Sequence, residues 1–207
     1  ANRYGYSRHE KALPLYTTRD AQRAVAKIVP VPPGREKLCG NVRIGFTPVG
    51  HLLGACAVTL TQGGDRLVFS GDVGRSDDLL MPAPQPVSDA DVLLVESTYG
   101  NRAHPKDDAA AQLAQIISDT VQRGGSVLMP AFAVGRAQAL MLVLQRLKAN
   151  GQIPPDLPVY LDSPMAIEAT ALYHKHRRLL RVPAREADHL ADGVRMVGDA
   201  RQSMRLV

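Results

Sequence analysis

The side chains best able to do chemistry in this chain sit in three glycine-flanked turns. Gly50-His51-Leu52-Leu53-Gly54-Ala55 offers an imidazole, Ser70-Gly71-Asp72-Val73-Gly74-Arg75 a carboxylate, and Glu96-Ser97-Thr98-Tyr99-Gly100 a second carboxylate. Each turn lies beside an apolar run, which is how a β-rich scaffold presents polar groups at its strand ends. A neutral imidazole such as His51 suits zinc. Glu96 closes the run Val92-Leu93-Leu94-Val95, where a carboxylate needs a hydrogen bond, a charge partner or a proton. Singly, each residue also has a structural reading. A loop His often binds nothing, Asp and Gly are favoured in turns, and Glu96 could serve a salt bridge or a helix terminus. One His and one Asp cannot hold a zinc ion, which takes about four donors. The rest of any metal site must lie elsewhere.

Other candidates carry less. Pro130-Ala131-Phe132-Ala133-Val134-Gly135-Arg136 leads from a predicted strand into a predicted helix. Arg136 would stand in the first helical turn, where the dipole disfavours a cation. Its readings are an anionic partner such as phosphate or a surface pair with a nearby acid. His174-Lys175-His176 resembles a metal-binding pair, but helical positions two apart do not share a face. Arg177, Arg178, Arg181 and Arg185 follow, with no acid in residues 171–185. They could grip a nucleic-acid backbone or form a solvated cationic helix end. His9, His104 and His189 show no partner pattern.

The elements that must position these residues are legible in the periodicity. Residues 8–28 lean towards helix, with Asp20, Ala21, Ala24, Val25 and Ile28 marking a stripe that Pro30, Pro32, Pro33 and Gly34 end. From 42 to 70 the period is two, with strands at Val42–Phe46, Ala57–Thr61 and Arg66–Ser70, the last two joined by a Gly63-Gly64-Asp65 hairpin. That hairpin returns the chain to the end it left, so His51 and Asp72 can meet. Residues 79–90, with Pro82, Pro84 and Pro86, read as a crossing loop. A βα pattern then begins. Val92–Val95 reads as a buried strand. Asp107 or Asp108 caps a helix with Leu113, Ile116, Ile117 and Val121 on one face, stopped by Gly124-Gly125. Strand 127–129 follows, then a helix with Leu140, Val143, Leu144 and Leu147 inward, then strand 159–161. Ser163 and Pro164 open another helix as N-cap and N1. Strands alternating with helices imply a parallel sheet, which binds ligands at its carboxyl ends. Glu96, Phe132 and Asp162 are placed there.

Bulk properties set bounds. The 207 residues suffice for one large domain or two small ones. There is no Trp, and aromatics are 4%, so aliphatic side chains must build the core. A net charge of +5 is compatible with a polyanionic partner without requiring one. Cys39 and Cys56 match no CxxC spacing and read as reduced thiols of a cytoplasmic protein. No apolar run approaches the ~20 residues that span a bilayer, so no membrane partner is expected. The first residues lack Met and the apolar stretch of a signal peptide.

Together and in order, these stretches resemble the β-CASP branch of the metallo-β-lactamase superfamily, the RNA-processing nucleases. That branch includes mRNA 3′-end processing factors and exonucleases. The resemblance runs through Leu13-Pro14-Leu15-Tyr16-Thr17, Gly50-His51, Ser70-Gly71-Asp72, Glu96-Ser97-Thr98-Tyr99-Gly100, Pro130 to Arg136 and Asp162-Ser163-Pro164-Met165-Ala166. It implies an α/β fold, in which part of a metallo-β-lactamase αββα sandwich (residues 1–100) is followed by a partial β-CASP domain with a parallel βα sheet (residues 101–207). It implies that His51 is a zinc ligand, that Asp72 bridges two zinc ions, and that Glu96 orients an active-site histidine. RNA is the implied partner, and a metal-bound hydroxide is the family's nucleophile.

The departures also carry expectations. The family's H-x-H-x-D-H motif and its later histidines are absent, so the chain resembles the middle of a longer protein. A metal-poor, inactive piece of a two-zinc ribonuclease is expected. The other readings are a non-catalytic RNA-binding paralogue and a DNA-directed nuclease of the same superfamily. A sandwich lacking its first strands should expose a sheet edge or an apolar face through which copies self-associate.

Overall fold

The computed structural model describes residues 8–9, 12–32, 34–103 and 107–206. The chain divides into two compact units, Ala1–Arg35 and Glu36–Val207. In the first, helix α1 (Thr18–Val25) starts at Thr17, whose hydroxyl and backbone N–H both contact the Asp20 carboxylate. This reciprocal cap holds the helix start. No residue of α1 is buried.

The second unit begins with a five-stranded sheet in the order β1-β2-β3-β4-β5. Its strands are β1 (Lys37–Cys39), β2 (Val42–Pro48), β3 (Cys56–Gln62), β4 (Asp65–Phe69) and β5 (Val92–Leu94). The first four run antiparallel in turn, and β5 lies parallel to β4. The Gly63-Gly64 turn between β3 and β4 has φ of 62° and 106°, a left-handed pair that glycine adopts without strain. β2, β4 and β5 therefore point the same way, and the turns after them share one end of the sheet. The return from β4 to β5 contains no helix. It is the Pro-rich crossing loop, pinned by Leu80 and Met81, which are 2% and 7% exposed.

Register lines Phe46, Val58, Phe69 and Leu94 across one face, with Ile44, Leu60, Leu67 and Val92 as the row beside it. This face is only half covered. Val92, Leu93 and Leu94 are about half exposed, so β5 is an edge strand and not the buried strand its composition suggested. A continuous apolar run is ambiguous because it fits any strand whose faces are meant to be covered.

Helices follow: α2 (Ala109–Gln122), α3 (Arg136–Ala149) and α4 (Pro164–Lys175), then a single 3₁₀ turn (Arg177–Leu179), α5 (Ala184–Asp188) and α6 (Ala200–Ser203). Asp108 caps α2, its carboxylate accepting from Ala110 and Ala111. Ser163 caps α4 with Pro164 in the first turn, as the sequence indicates. β6 (Val159–Asp162) and β7 (Val194–Val197) pair in parallel as a separate two-stranded sheet. Residues 127–129 form no ladder. Val127 and Met129 pack against the α2–α3 cluster while Leu128 is exposed, which is strand-like alternation without a hydrogen-bonding neighbour. Phe132 therefore follows no strand, and Ile116 of α2 points outward.

Two clusters hold this unit. One joins α2 to α3 through Ala114, Ile117, Leu144, Leu147 and Ile153. The other brings Leu80 and Met81 of the crossing loop against Leu142, Tyr173, Leu180 and Val182, with Leu53 packed on it. Each fully buried aliphatic side chain contributes roughly 1.5–3 kcal/mol, whereas a solvent-exposed ion pair such as Arg75–Asp77 is screened by water and adds little. Packing therefore fixes the loop.

Gln138 is the polar exception, with 0% exposure. Its amide oxygen accepts from Gly135 N–H at 2.7 Å, and its amide nitrogen donates to Ala133 O and to Thr170 Oγ1. It ties the segment before α3 to α4. Replacing Gln138 with Ala should lower unfolding free energy by about 2–4 kcal/mol, because buried partners are left unpaired. Urea denaturation checks this, and a loss below ~0.5 kcal/mol would contradict it.

Candidate active site

The three chemistry-bearing turns are joined through their backbones. Gly74 N–H donates to Val49 O at 2.8 Å, tying the Asp72 turn to the His51 turn. The two approach so closely that a Cβ on Gly74 would lie 2.1 Å from Gly50 O and 2.6 Å from His51 N. Ser70 joins the third turn. Its N–H donates to Leu94 O, and its hydroxyl accepts from Glu96 N–H at 3.0 Å. These bonds extend the β4–β5 pairing past the last ladder residue and tie the start of the Asp72 turn to the Glu96 backbone.

Glu96 closes the circuit. One carboxylate oxygen accepts from Val73 N–H at 3.2 Å and the other from Thr98 N–H at 3.0 Å. Hydrogen bonds from Thr98, side chain and backbone, hold its carboxyl below the usual range; Val73 N–H comes next, and nearby His51 adds a weaker charge attraction. Glu96 is thus a carboxylate that positions the Asp72 turn. His51 and Asp72 are exposed, open to whatever enters from solvent.

The helical part of the unit docks on this end. Gly135 has φ +80°, and a Cβ there would meet Leu52 Cδ2 at 2.6 Å. Arg136 is therefore carried to the edge of the His51 turn. It is exposed, and no ion pair to it forms among the described residues. Next to Gly135 lies Tyr173, 1% exposed, whose hydroxyl is aimed at the Leu53 backbone without completing a hydrogen bond, and burial pushes its phenol up.

Of the remaining candidates, His176 caps the end of α4 and does not share a face with His174. His189 Nδ1 pairs with Asp192 at 2.6 Å. His104 lies outside the described residues. Two of the four arginines in the run are engaged: Arg177 pairs with Asp188, and Arg181 donates to the carbonyls of Ser76 and Asp78. Arg146, on α3, forms a two-toothed pair with Glu186. Cys39 and Cys56 are free, and burial pushes the Cys56 thiol up, away from the thiolate a metal would need.

Sequence reasoning missed Gln138 and Tyr173, and it read Arg181 as one of a cationic run rather than as a donor to the Ser76 and Asp78 carbonyls. Gln138 carried a signal, since Gln at the third helical position is half of a capping box. Tyr173 carried none, because a buried aromatic on a helix looks like any core residue.

Among the described residues, no three His, Cys, Asp or Glu side chains cluster to hold a metal. His51 and Asp72 give two donors where zinc takes about four. By themselves, these residues do not form a zinc site.

A mixed sheet presenting His, Asp and Glu turns at one end, with helices packed on that end, defines a mixed α/β protein of the metallo-β-lactamase and β-CASP type. Residues 137–207 match the Beta-Casp domain family. That part of the chain belongs to the β-CASP family. The chain is 36% identical over 161 residues to a protein of Thermus thermophilus named Ribonuclease TTHA0252, covering 77% of this chain and 37% of that protein. It is 39% identical over 141 residues to Endoribonuclease ysh1 of Schizosaccharomyces pombe, covering 66% of this chain and 19% of that one. It is 34% identical over 164 residues to Cleavage and polyadenylation specificity factor 73 of Drosophila melanogaster, covering 78% and 24% respectively. The chain thus spans well under half the length of these relatives.

Two outcomes are expected from this geometry. Gly74→Ala should cost far more stability than Gly54→Ala, because the first has no room for a Cβ and the second has open space at φ +81°. The Gly54 change costs about 1–2 kcal/mol of backbone strain, and comparable losses in thermal melts would refute the close approach. Glu96→Gln should flatten the acid limb of stability. A carboxyl held low in the fold contributes above its unfolded value, 4.5, and that contribution is lost as pH falls through the folded value. Identical acid limbs in the two proteins would refute it.

Proposed function

We propose that the protein to which this sequence belongs is a zinc-dependent nuclease that hydrolyses RNA phosphodiester bonds. The observation that carries the reading is the backbone circuit Val49–Gly74 and Ser70–Glu96–Val73, which gathers His51, Asp72 and Glu96 at one sheet end. The names of the relatives, which include ribonuclease and endoribonuclease, support the substrate class. In this reading His51 and Asp72 supply two of the zinc donors, and the remaining donors lie outside the residues described. Zinc, once bound by a full donor set, would supply Lewis-acid chemistry.

The chain's own residues have definable tasks. Glu96 holds the Asp72 turn by accepting from Val73. Arg136, exposed beside the His51 turn, neutralises substrate phosphate. A cation at a helix start is unfavourable against the dipole, and an anion relieves that. Gly135 keeps α3 close enough to place it.

Asp72→Asn in the full-length protein should abolish cleavage of a labelled RNA while leaving its melting temperature nearly unchanged. Arg136→Ala should raise KM by about 10-fold, a phosphate contact's share of binding. The 207-residue chain alone should retain less than one equivalent of zinc. Unchanged cleavage by Asp72→Asn, or stoichiometric zinc in the short chain, would refute the respective assignment.

A further inference from the structure

The segment that leaves the Asp72 turn, residues 76–86, is gripped from the opposite side by one side chain. Arg181 Nη1 donates to Ser76 O at 2.9 Å and to Asp78 O at 3.2 Å, and its backbone N–H donates to Leu80 O at 2.7 Å. These partners are more than 100 residues earlier in the chain. The base of this grip is firm, since Leu180 and Val182 on either side of Arg181 are 8% and 7% exposed. Both belong to the cluster that holds Leu80 and Met81.

The gripped segment is itself rigid and leads back to the site. The Asp78 carboxylate accepts from Leu80 N–H and Met81 N–H at 2.8 and 2.7 Å, closing a tight turn. Pro82 O then occupies the space where a Cβ on Gly50 would sit, 2.1 Å away. Gln85 N–H donates to Pro48 O at 2.9 Å, just before the His51 turn. At its other end the segment is continuous with Gly74, which is tied to Val49. The segment thus touches the Asp72 turn at its start and the His51 turn at Pro82 and Gln85. Arg181 fixes the part between.

We propose that Arg181 is a positioning residue for the site, setting the His51 and Asp72 turns through the 76–86 segment. Residues 137–207, the part matched by the Beta-Casp domain, would then couple their own placement to the geometry of those turns. This inference rests on the nuclease reading for its kinetic consequence only; its structural consequence stands apart. It also separates Arg181 from the rest of the cationic run. A residue whose guanidinium is engaged with two protein carbonyls is not chiefly a phosphate contact.

The experiment has two arms. In the 207-residue chain, amide hydrogen exchange is compared for wild type, Arg181→Met, Arg181→Lys and Arg177→Met. Arg177 pairs with Asp188 nearby and serves as the control. Arg181→Met should speed exchange at Gly74, Met81 and Gln85 by about 10-fold, with the amides of α2 within about twofold of wild type. Arg181→Lys should recover most of the protection, since one nitrogen makes both carbonyl bonds, and Arg177→Met should leave it unchanged. In the full-length protein, Arg181→Met should lower kcat by about 10-fold with KM within about twofold. Unchanged exchange at the three amides overturns the proposal. Equal acceleration in α2, which would mean a merely structural role, also overturns it, as does a raised KM at constant kcat. If the wild-type protein does not cleave RNA, the nuclease reading fails, and the exchange arm still decides the role of Arg181.

Discussion

The contact between Gly74 and the Gly50–His51 peptide is the constraint on which the rest of the site depends. Two backbone segments meet with no side chain between them, leaving no room for even a methyl group, and one hydrogen bond from Gly74 to Val49 fixes their register. The neighbouring relations follow from it. Asp72 cannot move without carrying Gly74, His51 cannot move without displacing Gly50, and Gly50 is backed by the Pro82 carbonyl. A sheet can bring strand ends to the same height, but only such close backbone approach sets turns at hydrogen-bonding distance.

Around this contact the molecule separates two kinds of work. Apolar packing by Leu80, Met81, Leu142 and Tyr173 holds the helices to the site end of the sheet. Polar groups then choose the alignment. Gln138, wholly buried with its amide oxygen and nitrogen engaged, aligns the start of α3 with α4. Glu96 aligns two turns with its two oxygens. Burial alone would permit sliding, while a buried hydrogen bond is costly to leave unmade and so permits little. Among the described residues, the Tyr173 hydroxyl at the junction of α4 with the His51 turn is a buried polar group without a partner, as are Arg66 Nε and Gln145 Oε1.

Much of this was legible in the sequence. The hairpin at Gly63-Gly64, the caps at Asp108 and Ser163, and the crossing loop at 79–90 all rest on local chemistry that acts over a few residues. The order of six short stretches, the three turns among them, was enough to suggest a family. What misled was composition read as environment. Val92–Val95 has the residues of a covered strand and lies at an edge, and 127–129 alternates like a strand without pairing. Strand chemistry can be read from a run of residues, but a ladder needs a neighbour, and neighbours are not local.

The sequence by itself determined which side chains are available and where the chain turns, because glycine, proline and capping residues act through their own dihedrals and nearest hydrogen bonds. It determined that His51, Asp72 and Glu96 would each stand in a turn. Only the tertiary structure decided that the three turns touch and that Arg136 is delivered beside them by Gly135 against Leu52. Only the tertiary structure gave Arg181 its partners, which could not be inferred from a run of like charges. Those outcomes depend on contacts between segments far apart in the chain, and such contacts are set by packing of the whole unit rather than by any local preference.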